Sequence, residues 1–93
     1  EEIKKAFTVL ADHLIKHKKD RELCYLLSNS DSQKNAFIKR ETIEQCLVKS
    51  APKIKQMQID LLIKPLSEDA DHNRNYLEMV FMLFGKEILN SHI

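Results

Sequence analysis

The chain holds one glycine, two prolines and no tryptophan among its 93 residues. Strands joined by hairpins lean on glycine-rich turns, so this scarcity argues against a β fold and for helices. Cysteine is scarce too. Cys24 and Cys46 stand far apart without CxxC spacing, too few for a secreted disulfide scaffold. They read as reduced, small apolar packers of a cytoplasmic protein, with a single bridge as the alternative. No apolar run reaches the roughly 18 residues of a membrane span. Neither sign of charge dominates: 15 Lys and Arg against 14 Asp and Glu leave a net charge of +1. That gives no general steering field and argues against a dedicated nucleic-acid binder. A glycine-rich phosphate loop, a nucleophile with a nearby base and a working pair of carboxylates are all missing, so an enzyme is not expected. The first residues are Glu-Glu rather than Met. The chain therefore reads as a trimmed piece or a domain of something larger, and a missing signal peptide carries no weight.

What is present is enough for one small domain, residues 1–93, with 43% apolar and 31% charged residues around one core. Ile3, Phe7, Leu10 and Leu14 repeat at helical steps and predict an amphipathic helix over 2–17. The charged run 16–22 interrupts the pattern, and Leu23, Leu26 and Leu27 resume it. Residues 28–35 carry turn formers without an apolar side chain and read as a loop, with 36–38 a short apolar island inside it. Helix returns over 41–49, with Ile43, Cys46 and Leu47 on one face. Pro52 suits the first turn of the next helix, which carries Ile59, Leu62, Ile63 and Leu66. Pro65 is expected to loosen its end. Residues 67–76 form a second loop before a last helix over 77–89. In that helix Gly85 costs roughly 1 kcal/mol relative to Ala.

The second loop places oxygen-bearing side chains at spaced positions: Ser67, Asp69, Asp71, Asn75 and Glu78, with Asn73 at a backbone position. A twelve-residue calcium loop takes ligands from positions 1, 3, 5, 7, 9 and 12, with a bidentate Glu last and Gly at 6. Glu78 at position 12 brings those six residues into register. Leu66, Ile63, Leu62 and Ile59 then take the apolar positions of the incoming helix, and Met79, Met82 and Leu83 those of the outgoing one. In this frame residues 59–83 resemble, without a gap, the second hand of the calgranulin- and calcyclin-type proteins, which are small EF-hand proteins. The resemblance implies a pair of EF-hands, frequent homodimers, a calcium-dependent partner groove and no catalysis.

Three positions depart from the pattern. Ser67 is a neutral ligand at position 1. His72 occupies position 6, where the turn needs φ > 0 and a non-glycine residue costs on the order of 1 kcal/mol. Arg74 at position 8 brings positive charge beside the carboxylates. The first loop keeps only the frame. With Asp31 at position 1 and Ile38 at position 8, the flanking leucines, Ile43, Cys46 and Leu47 fall into place. Position 12 is Thr42, which cannot bind bidentately, and position 9 is Lys39. If the two loops face each other, Ile38 and Arg74 should pair across a short antiparallel bridge.

Other patterns have plainer readings. His13 and His17, four apart on a helix, have metal-clamp spacing, with His72 and His92 as further candidates. Among Lys16, Lys18 and Lys19 they read more simply as a solvated face. Residues 16–21 could touch phosphates but hold no aromatic for stacking. The run 79–84 is apolar on nearly every side, whereas a core helix buries a stripe of roughly 100° or somewhat more. Leu77, Val80, Phe81, Phe84 and Ile88 are therefore expected to meet the matching stripe of Ile3, Phe7, Leu10 and Leu14, either within one chain or, the favoured reading, as a dimer or partner surface between two copies. A helical peptide is the natural partner class besides a second copy.

These readings converge on an all-α fold of paired EF-hand-like helix–loop–helix units: an N-terminal helix (1–19), a degenerate first hand (20–50) and a second hand (51–93). The expected function is non-catalytic protein–protein interaction with weak or no Ca2+ binding. The alternatives are a sensor binding one Ca2+ through the second loop, and an unrelated helical assembly domain.

Overall fold

A computed structural model describes residues 2–91, with side chains placed as far as Gly85. The side chain of Ile88, and His92, lie outside the described residues. Five helices and one pair of two-residue strands are present among the described residues: α1 (Glu2–Lys16), α2 (Asp20–Ser30), β1 (Phe37–Ile38), α3 (Arg40–Ser50), α4 (Gln56–Ile63), β2 (Arg74–Asn75) and α5 (Tyr76–Ser91).

α1 follows its apolar spacing. Phe7, Leu10 and Leu14 are buried, as are Ala6 and Ala11 between them. Its end has a local cause. Lys18 adopts φ 57°, its N–H bonds the carbonyl of Ile15, and the N–H of Lys19 bonds that of Leu14. This is the left-handed cap that closes many helices, here without the usual glycine. It frees the chain to start α2 at Asp20 as a separate helix. α2 and α3 pack together as a pair, while α1 lies against α4 and α5.

Pro52 does not open α4. It sits in a turn, and α4 begins at Gln56, where the Gln58 side chain accepts the Lys55 N–H. The extended Lys55 backbone, φ −90° and ψ 152°, sets the start instead. Pro65 lies just past the end of α4, where it removes no helical bond.

The helices share one core. Leu14, Leu23, Leu27, Ile43, Leu47, Leu62, Ile63 and Met79 are its fully buried large side chains. Each contributes roughly 1.5–3 kcal/mol of transfer free energy before chain entropy is set against it. Cys24 and Cys46 are free thiols, and burial pushes both upward from the ordinary thiol value. No helix of the described residues is long and apolar enough to cross a membrane.

α5 buries Met79, Val80, Leu83 and Phe84 and leaves Leu77, Phe81 and Met82 exposed. Two expectations change. Met82, expected to face the core, is 44% exposed. Of the expected contact surface, Phe7, Leu10, Leu14, Val80 and Phe84 are buried within the chain, and Ile3 is partly buried against the same core. The reason is α1, which packs on α5 intramolecularly and shifts the buried stripe toward Val80 and Phe84.

Candidate functional site

The two loops meet at the short sheet. β1 and β2 are antiparallel, with Phe37 opposite Asn75 and Ile38 opposite Arg74. Position 8 of one loop thus lies against position 8 of the other. The residue two before each bridge position is left-handed: Ala36 has φ 72° and His72 has φ 65°. Both loops make the turn that usually calls for glycine, and both make it with a side chain.

In the first loop Asp31 is 3% exposed. Its Oδ1 accepts the N–H of Asn35 at 3.2 Å. Its Oδ2 accepts the N–H of Ala36 at 3.0 Å and the Tyr76 hydroxyl at 2.8 Å. Burial works against the Asp31 charge, but the bonds from Tyr76, Ala36, Asn35 and Lys34 outweigh it and hold the carboxyl below its ordinary value. On Tyr76, burial together with the Asp31 carboxylate pushes the phenol up to about 12. Tyr76 also donates its N–H to the Ala36 carbonyl at 3.1 Å. Asp31 therefore acts inside the fold as an acceptor that pins its own loop and the start of α5. Tyr76 was not singled out from the sequence. Its position two residues past the bridge, at the first turn of α5, is the signal that could have found it.

The second loop also closes on the chain's own groups. Asp69 Oδ1 accepts the N–H groups of Asp71 and Asn73, each at 2.9 Å, and Asn73 Nδ2 donates to Asp69 Oδ2 at 3.3 Å. Partial burial opposes the Asp69 charge, but these donors and the nearby His72 lower its carboxyl from the ordinary value. Glu78 Oε1 accepts the Ser67 N–H at 2.8 Å, and the Ser67 hydroxyl and N–H lower the Glu78 carboxyl. Asn75 caps α5 by accepting the Glu78 N–H at 3.1 Å. Asp71 is exposed.

Arg74 completes the closure. Its Nη1 donates to the Leu66 carbonyl at 3.1 Å, and its Nη2 lies 3.6 Å from Glu68 Oε2. Glu68 and Arg74 also form an isolated antiparallel bridge. A guanidinium thus supplies positive charge at the neck of the loop. Ser67, Asp69, Asn73, Asn75 and Glu78 are brought together, but as a hydrogen-bonded turn. Among the described residues no three His, Cys, Asp or Glu side chains stand close enough to hold an ion. Their oxygens are the hard donors that Ca2+ takes, and Asp69 and Glu78 already accept N–H groups of the loop itself.

Comparison of the chain with protein-family models, with curated proteins and with solved structures finds no match.

Proposed function

We propose that the chain is a divergent EF-hand pair serving as a non-catalytic protein-interaction module, with weak or no calcium binding. The observation that carries this reading is the pairing of Ile38 with Arg74, which brings the matched positions of two twelve-residue loops together. The left-handed backbone at Ala36 and His72, each two residues before the bridge, supports it independently. Arg74 at the neck of the second loop, with neutral Ser67 at its first position and His72 at its turn, supports weak or no calcium binding. A sensor using the second loop is the second reading. It is favoured by one feature, a turn at His72 already in the conformation a calcium loop needs.

The proposed interaction surface is the exposed strip of Leu77, Phe81 and Met82 on α5 with the neighbouring face of α1. Phe81 and Met82 line a groove with Lys4, Thr8, Asp12 and Ile15. The proposed occupant is a second copy. Lys4 and Asp12 stand four residues either side of Thr8, so two antiparallel α1 helices related by a two-fold axis would set each Lys4 against the other's Asp12. Light scattering at micromolar concentration tests this. A dimer in the wild type, weakened by Lys4→Asp and restored when Asp12→Lys is added, is the expected series. A wild-type monomer, or charge reversals without effect, removes the second copy as partner.

A further inference from the structure

The end of α1 and the residue just after it carry a feature that the interaction surface does not use. His13 and His17 are both exposed, and their ring centroids lie 4.5 Å apart with planes tilted by 50°. An imidazole nitrogen binds a transition metal at about 2.0–2.1 Å. Two rings this close, four residues apart on one side of the chain, lie within reach of a shared ion.

We propose that His13 and His17 form a Cu2+ site, as two neighbouring equatorial ligands with water completing the coordination. Two arguments select this ion: imidazole is a good ligand for it, and Cu2+ binds most tightly in the divalent series. The carbonyl end of α1 also favours a cation at this turn. Lys16, Lys18 and Lys19 oppose it, but all three are exposed, where salt screens them. Because no third ligand residue stands close among the described residues, the remaining coordination positions are open to solvent.

Calorimetry of the whole chain with Cu2+ in a non-coordinating buffer, paired with electron paramagnetic resonance, tests the assignment. One Cu2+ per chain is expected, with hyperfine splitting from two nitrogens and weaker binding of Zn2+. His13→Gln and His17→Gln each remove one nitrogen and weaken binding roughly tenfold or more. His72→Gln, His92→Gln and Cys24→Ser leave it unchanged. Both histidines are exposed, so circular dichroism should show the fold retained. Cu2+ should raise the thermal midpoint of the wild type but not of His17→Gln. Absence of Cu2+ binding, or binding that survives in both histidine variants, overturns the proposal.

Discussion

Glycine at positions 36 and 72 should make the chain more stable, although glycine usually does the opposite. Ala36 and His72 hold φ values of 72° and 65°. A left-handed backbone costs a residue with a Cβ about 1–2 kcal/mol. Glycine removes that strain but adds unfolded-state entropy worth about 0.4–1 kcal/mol. The difference favours glycine by about 0.5–1 kcal/mol at each site. His72→Gly also loses a contact with Glu68, but His72 is largely in water and an exposed pair contributes little. For a domain of this size the gain raises the thermal midpoint by about 2–8 °C per substitution. The two residues share no hydrogen-bond partner, so the effects should be close to additive. Urea and thermal unfolding followed by circular dichroism measure it, with an unchanged urea slope showing that two-state behaviour holds. Gln45→Gly, at an exposed position inside α3, is the control and should cost about 1 kcal/mol. If Ala36→Gly or His72→Gly lowers the midpoint as the control does, the two left-handed turns are not features of the folded chain.

Tyr76→Phe removes the hydroxyl that joins the start of α5 to the first loop, and the unfolding midpoint should fall in urea. With Tyr25→Phe leaving Tyr76 as the single tyrosine, absorbance titration should show the phenol ionising near 12 rather than at its ordinary value of about 10. Asp31, Asp69 and Glu78 all bind their protons more weakly in the folded chain, so on acidification the unfolded chain takes up protons first. The stability they contribute is complete above the ordinary carboxyl range of about 4 and is lost as pH falls through their lowered values, which acid unfolding curves measure. Gly85→Ala should raise the midpoint by up to about 1 kcal/mol equivalent, because an added Cβ meets the Phe81 ring at an ordinary 3.5 Å.

The apolar periodicity made the helices legible, since the spacing of Phe7, Leu10 and Leu14 or of Ile59, Leu62 and Ile63 leaves one face to bury. Counting positions from Glu78 and Asp31 located the Ile38–Arg74 bridge, because a fixed-length loop sets which residues meet. Met82 was misplaced for a tertiary reason. A helix as apolar as α5 does not reveal which stripe its neighbours cover, and α1 rotates the choice toward Val80 and Phe84. The same packing buries most of the surface expected to face a second copy. Pro52 was misread because proline suits both a first helical turn and a β-turn. The Asp31–Tyr76 bond joins residues distant in sequence, so only the loop register that pairs Ile38 with Arg74, and no local pattern, pointed toward it. How fully Asp69 and Glu78 are occupied by N–H donors depends on the folded path of the loop, which composition does not encode.

Calcium independence is tested most directly by calorimetric titration of the whole chain with Ca2+ at neutral pH. With Arg74 at the neck of the loop, neutral Ser67 at its first position and His72 at its turn, no saturable heat is expected in the sensor range of about 10⁻⁷–10⁻⁵ M. A one-to-one micromolar response that disappears in Glu78→Gln would contradict this and establish the second loop as a calcium site.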